Sequence, residues 1–245
     1  MKKIWKNTAT LDDYKEGLAF TDSKSECEVV LMGSKKINLD DFPNLKGIFR
    51  AGVGRDNVPI DEATAKGISI CFPSERTTNV IFQETASFAC YLIIKMMYAQ
   101  IGDLASWTKH NRGSLKEKKL LVIGTGKIGG LVSLQMSPLM EVMEYDVMKN
   151  SAEELNDMIS ESDCITLHIP STASNKSFFD KSKLALMKQD AVLVNTARGP
   201  IVDEDDLYDA IVADKIKAAF DVFWEEPYKG KLTEFYPDRF FMTPH

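Results

Sequence analysis

Three glycines and one aspartate carry the most specific chemistry in this sequence. Leu120-Leu-Val-Ile-Gly-Thr-Gly-Lys-Ile-Gly129 is a short apolar run that breaks into the spacing GxGxxG. In that spacing Gly124 permits a tight turn, Gly126 lets the backbone approach a pyrophosphate, and Gly129 lets the next helix pack on the strand. The N-terminus of such a helix offers free N–H groups and a positive dipole end to phosphate oxygens. A second apolar run ends at Asp146, 146 − 124 = 22 residues after the first glycine. That is the spacing of the acid that accepts from a ribose 2′-hydroxyl. A carboxylate repels a 2′-phosphate, so the pair predicts NAD over NADP, with Lys149 softening the repulsion. NADH is expected to bind more tightly than NADPH, and Asp146→Ala to lose that preference.

A parallel sheet is needed to position such a loop. Leu120–Ile123, Glu141–Tyr145, Cys164–Ile169, Ala191–Asn195, Lys217–Phe220 and Phe240–Met242 are expected strands. Helical patterns lie between them at Lys127–Met136, Ser151–Ser160, Lys181–Met187 and Asp203–Ala213. Ser151 with Glu154 resembles a capping box. Six strands with intervening helices predict a doubly wound dinucleotide-binding sheet. Upstream, Val29–Met32, Gly47–Ala51 and Ile68–Phe72 alternate with a helix at Val58–Lys66, a second strand–helix series. A long helix is expected over about Glu84–Trp107, with Gly102 marking a break. The fold class is α/β: a Rossmann sheet with a second, smaller, flavodoxin-like domain. The expected division is 1–78 for substrate and 79–245 for NAD.

Composition excludes several classes. A net charge of −6 without a basic run argues against a nucleic-acid partner. No apolar run is expected to reach transmembrane length, the longest candidate, Phe88–Met97, being interrupted by Lys95. The N-terminus turns polar after Trp5 and shows no signal peptide, so a cytoplasmic location is expected and no membrane partner. Cys27, Cys71, Cys90 and Cys164 form no CxxC and no metal spacing.

Three further segments carry a resemblance. Arg50-Ala-Gly-Val-Gly-Arg-Asp-Asn57 resembles the RAGxGxDN loop of the 3-phosphoglycerate dehydrogenase branch of the D-2-hydroxyacid dehydrogenases. Asn195-Thr-Ala-Arg-Gly-Pro-Ile-Val-Asp203 is similar to that family's NxARGxxVD. Ala218-Ala-Phe-Asp-Val-Phe-Trp-Glu-Glu-Pro227 and Thr243-Pro-His245 are similar to its ALDVxxxEP and PH. The order is the family's, and the resemblance runs from about residue 27 to the end. It implies an NAD-dependent oxidoreductase acting on a small 2-hydroxy or 2-keto acid, and a homodimer formed through the NAD-binding domain. It places Arg198, Glu226 and His245 at the catalytic positions. Thr196 and Asp221 would lie near the nicotinamide, and Lys127 and Ile128 would present backbone N–H groups to the pyrophosphate. The Gly52-Val53-Gly54 backbone would receive the substrate carboxylate, with Arg50 nearby. His168 and Pro170 match the HxP of the cofactor pocket, a structural or adenosine-side role.

The chemistry is coherent in itself. Reducing a 2-keto acid needs a cation to hold the carboxylate and polarise the carbonyl, and Arg198 offers a planar fork of donors. A proton must reach the carbonyl oxygen, and His245 can supply it near neutral pH. A carboxylate beside the imidazole stabilises the charged ring and fixes its orientation. Glu226 is chosen over Glu225 because the family's glutamate directly precedes its proline; His110 and His168 are the rivals of His245. Arg198→Ala is expected to remove most of kcat/KM while NADH binding stays nearly normal. A non-catalytic NAD(H)-sensing protein on the same fold is the alternative. Formate oxidation is disfavoured, since that branch has glutamine where Glu226 stands. The Arg50 loop hints at a phosphorylated acid such as 3-phosphoglycerate, although glyoxylate and hydroxypyruvate suit the same triad.

There are departures from the family. The start of the long helix reads Ile-Phe-Gln-Glu-Thr85 where the family has Val-Ala-Glu-His. The interval from Asp146 to Ser151 is shorter than the family's by about a dozen residues, and the first N-terminal unit looks abbreviated. The family also continues beyond its histidine into a helix that returns to the substrate domain. The expectation is that the gene product extends past His245 or that a partner covers the exposed face. In the 245-residue chain NADH binding is expected to survive and turnover to be poor.

Overall fold

Short apolar strands separated by turn residues build two parallel sheets in the computed structural model, which describes residues 1–14, 16–99, 101–111 and 113–245. The chain divides into two compact units, Met1–Ile81 and Phe82–His245.

The first unit holds β1 (Lys3–Lys6), β2 (Ala19–Phe20), β3 (Val29–Met32), β4 (Gly47–Arg50), α1 (Ile60–Ala65) and β5 (Ser69–Cys71). Its strands lie in the order β2-β1-β3-β4-β5, all parallel. That is the flavodoxin-like order. Val30, Met32, Ile48, Phe42, Ala63 and Ile68 form its buried core, with Trp5 packed against them. Sequence patterning alone missed β1 and β2. They are short, and what makes them strands is pairing with β3 (Ile4 with Val29) and with each other (Lys3 with Ala19).

The long helix α2 runs Glu75–Met97, nine residues earlier at its start and ten earlier at its end than the Glu84–Trp107 expected. Beyond it, Gly102 does not interrupt a helix. It opens a two-stranded antiparallel hairpin, β6 (Gly102–Asp103) and β7 (Thr108–Lys109). With φ at +153° and a carbonyl 2.6 Å from where its Cβ would be, Gly102 holds a backbone shape closed to other residues. By length and composition α2 also passes for a membrane-crossing helix, which corrects the expectation that no run reaches that length. Its buried residues, Ala86, Ala89, Leu92, Ile93 and Met96, pack against the second sheet.

The second sheet comprises β8 (Lys119–Ile123), β9 (Glu141–Tyr145), β10 (Cys164–Leu167), β11 (Ala191–Asn195), β12 (Ile216–Phe220) and β13 (Phe240–Met242). Four helices connect them: α3 (Lys127–Met136), α4 (Ala152–Glu161), α5 (Lys181–Leu186) and α6 (Glu204–Val212). All six strands are parallel, in the order β13-β12-β11-β10-β8-β9. Strands covered on both faces must be apolar throughout, and alternation sorts their residues. Leu121 and Ile123 face α4–α6, whereas Leu120 and Val122 face α2 and α3. Ser151 closes the expected capping box with Glu154 at the head of α4. The commonest doubly wound order has one more strand outside the second. Here β9 is the edge, because the five residues from Asp146 to Asn150 are too few to hold another helix and strand. Glu141 and Glu144 are exposed on this edge strand, where charge discourages pairing with another chain.

Candidate active site

Every candidate group of the second unit leaves the C-terminal edge of its sheet, where open α/β sheets bind ligands. At the end of β8 the chain turns through Gly124, whose φ of +94° and close approach to the His168 carbonyl both demand glycine. A Cβ on Gly129 would lie 1.9 Å from the Gly124 carbonyl oxygen, so α3 sits as close to the loop as a backbone permits. Gly126 is the N-cap of α3, and a Cβ there would meet nothing within 4 Å. Gly126 and Lys127 are exposed, and with Ile128 they put the first turn of α3 and its N–H groups at an open cradle.

Asp146 follows β9 beside this loop. Its Oδ2 accepts from the Thr125 hydroxyl at 2.8 Å and the Thr125 N–H at 3.3 Å, and its Oδ1 from the Met148 N–H at 3.0 Å. The Met148 bond first, then those from Thr125, hold the carboxyl below its ordinary range and keep it ionised. Thr125 was not singled out in the sequence. Its place as the second residue of GxGxxG was the available signal.

His168 follows β10. Its Nε2 lies 3.0 Å from the Thr166 hydroxyl, and its own carbonyl backs the Gly124 turn. Burial pushes the imidazole down to about 4, so it is neutral at ordinary pH. Pro170 is exposed, and its carbonyl accepts from the Asn175 amide at 2.9 Å.

The pairing of β11, β12 and β13 brings three distant segments together. Asn195, Phe220 and Met242 are register partners, so the residues after each emerge side by side. Buried Asn195 accepts from the Ala197 N–H at 3.0 Å and donates to the Arg198 carbonyl at 2.8 Å, fixing the turn that carries Arg198. Arg198 is extended and precedes a 3-10 turn, Gly199–Ile201, and its Nη1 donates to the Ala197 carbonyl at 2.7 Å. Asp221 accepts from the Thr243 hydroxyl at 2.6 Å. Burial raises its carboxyl above the ordinary range despite that bond. Sequence reasoning had passed over both Asn195 and Thr243, although each lies inside a quoted motif.

Glu226, and not Glu225, faces the histidine. His245 Nδ1 lies 3.0 Å from Glu226 Oε1 and 3.1 Å from Oε2, and the Phe223 N–H steadies Oε1 at 3.3 Å. Glu225 is exposed, as is His110 after the β6–β7 hairpin. With a carboxylate on Nδ1, Nε2 is left to meet a reacting oxygen.

In the first unit, Ala51, Gly52 and Val53 form a bend after β4, and Gly54 follows it. Arg50 turns into that bend and is buried. Its Nε donates to the Gly54 carbonyl at 3.1 Å and to Asn57 Oδ1 at 3.2 Å. Asn57 in turn donates to the carbonyls of Gly33 and Ser34.

Known proteins agree with this architecture. The family model for the D-isomer specific 2-hydroxyacid dehydrogenase, NAD binding domain, matches residues 94–245. The chain belongs to the D-isomer specific 2-hydroxyacid dehydrogenase family. Its C-terminal unit is accordingly an NAD-binding domain. A D-3-phosphoglycerate dehydrogenase of Methanocaldococcus jannaschii is 34% identical over 236 residues, covering 89% of this chain and 44% of that protein. A hydroxypyruvate reductase of Thermotoga maritima is 33% identical over 225 residues, 82% of this chain and 70% of the relative. The chain thus spans less than half of the first relative's length. Among solved structures, a D-lactate dehydrogenase from Aquifex aeolicus complexed with NAD and lactic acid shares the fold. Its TM-score is 0.78 at 23% identity, over 99% of this chain and 87% of that one.

The residues present fit NAD. The cradle at Gly126 is open, Asp146 is ionised beside it, and the Thr196 hydroxyl is buried without a hydrogen-bond partner among the described residues. An orphaned buried hydroxyl is costly unless a ligand satisfies it.

Proposed function

We propose that this protein is an NAD-dependent oxidoreductase that interconverts a small 2-hydroxy acid and its 2-keto acid, on a substrate of the phosphoglycerate or hydroxypyruvate type. The observation that carries this reading is the His245–Glu226 pair, set at 3.0 Å on the binding edge of an NAD domain. Gly124, Gly126, Lys127, Ile128, Gly129, Asp146, Thr196 and Asp221 hold the dinucleotide, with His168 and Pro170 shaping its pocket. When bound, NADH supplies the hydride.

The chain's own residues do the rest. Arg198 takes the substrate carboxylate and polarises the carbonyl. In reduction His245 gives its proton to the carbonyl oxygen, and in oxidation the neutral ring takes the proton of the hydroxyl. Glu226 fixes the ring so that Nε2 faces the substrate. The N-terminal unit serves as the substrate domain, and within it the Gly52–Gly54 loop is the substrate-binding segment. A cytoplasmic homodimer joined through the NAD domain completes the proposal.

The test is a panel of glyoxylate, hydroxypyruvate and 3-phosphohydroxypyruvate with NADH and NADPH. Turnover of at least one acid with NADH is expected. Tight NADH binding without turnover of any 2-keto acid would overturn the catalytic reading in favour of a coenzyme-sensing protein.

A further inference from the structure

The loop after β4 carries two arginines in different surroundings. Arg50 is committed to the loop itself. Besides its bonds to Gly54 and Asn57, its Nη1 reaches the Met32 carbonyl at 3.5 Å, and a Cβ on Gly52 would lie 2.7 Å from that nitrogen. Its guanidinium braces the bend from beneath. Arg55 is exposed, and its guanidinium carbon lies 4.4 Å from the centroid of the Phe72 ring. Among the described residues no carboxylate pairs with Arg55. Phe72 directly follows β5, and β4 pairs with β5 in the register Phe49 to Cys71, so the loop and the ring leave one edge of the sheet together. The ring also packs against the unit's buried core, which makes it a fixed platform.

A guanidinium held over a ring by this contact is positioned without spending its N–H donors. Its in-plane N–H edges stay available for bidentate contact with a phosphate or carboxylate. Arg55 lies two positions after Val53, with Gly54 between them, at most about 7 Å of chain. The arginine therefore stands beside the substrate-binding segment, within reach of the far end of a small acid.

We propose that Arg55, held on Phe72, is a specificity-determining residue that recognises a second anionic group on a 2-keto acid substrate. This rests on the proposed function above, and it gives the substrate class as doubly anionic.

The experiment compares three acids that differ at C3: 3-phosphohydroxypyruvate with a phosphate, oxaloacetate with a second carboxylate, and hydroxypyruvate with neither. Arg55→Ala is expected to lower kcat/KM for the preferred dianion by about ten- to a hundredfold through KM, with kcat little changed. The loss on hydroxypyruvate should be at least tenfold smaller. Arg55→Lys should restore part of the loss, and Phe72→Leu, which keeps the charge but removes the platform, should lose an intermediate amount. Equal losses on all three acids, or no loss on either dianion, would overturn the proposal while leaving the dehydrogenase reading intact. If no acid is reduced, the functional reading has failed. Equilibrium binding of 3-phosphoglycerate then decides Arg55, because binding that Arg55→Ala does not weaken rejects it.

Discussion

The phosphate loop and the His245–Glu226 pair stand on the same edge of one sheet, yet they are built in opposite ways. The loop is a backbone device. Six consecutive residues form it, and its requirement is the absence of side chains: a Cβ at Gly124 or Gly129 would strike a carbonyl within 3 Å. The pair is a side-chain device. Its members are 19 residues apart in sequence, and it exists because β12 and β13 run in register beneath them. A backbone device should fail when atoms are added, and a side-chain device when atoms are removed.

The largest expected effect is on the pair. His245→Gln should lower kcat/KM by about 10²- to 10⁴-fold, while NADH affinity holds in a fluorescence titration. A parallel fall in NADH affinity would move His245 into the coenzyme site and erase the contrast. Next is the residue that backs the loop. His168 has a folded-state value of about 4, below its unfolded value of about 6.5. The unfolded chain therefore binds the extra proton between these values. Stability is fully present above about pH 6.5 and declines as pH falls towards 4, by about 3 kcal/mol at most. Urea midpoints measured across this window should slope in the wild type and flatten in His168→Gln. Equal slopes would show that the ring is not held neutral by the fold.

Adding atoms to the loop tests the other side. Gly129→Ala forces α3 away from Gly124, and overpacking of this kind costs about 1–3 kcal/mol, so NADH affinity should fall about tenfold or more. Unchanged affinity would mean that the loop yields as freely as a surface turn. The smallest effect is selective. Asp146→Ala should abolish an NADH-over-NADPH preference of about tenfold. Met148 and Thr125 keep the Asp146 carboxyl ionised between about pH 5 and 8, so any change of that preference in this range should follow the second ionisation of the NADPH 2′-phosphate, at about pH 6. A preference that survives in Asp146→Ala would place the discriminating charge elsewhere.

Much of this was legible in the residues because local signals carried it. GxGxxG names its own turn, the boundaries of α3 and β9 matched their apolar runs, and Ser151 with Glu154 marked a helix start. The capping and glycine chemistry involved acts within a few residues, so no distant partner is needed to read it. The end of α2 was misjudged for the opposite reason. The apolar pattern continues through Ile101 and Leu104, and only a hairpin partner seven residues beyond Gly102 shows that the chain has left the helix. Strands β1 and β2 escaped notice because four and two residues carry too little pattern without the neighbour that pairs with them.

By itself the sequence determined the kinds of chemistry available: a phosphate loop, an acid 22 residues on, an arginine, two candidate glutamates and three histidines. Only the tertiary structure decided among them. It turned Glu226 towards His245 and left Glu225 exposed, buried His168 to a neutral ring, clasped Asp146 with Thr125, and folded Arg50 into its own loop while laying Arg55 on Phe72. The reason is physical. Residue type fixes which atoms can donate, accept or titrate, whereas burial, register and neighbouring dipoles fix which of them do.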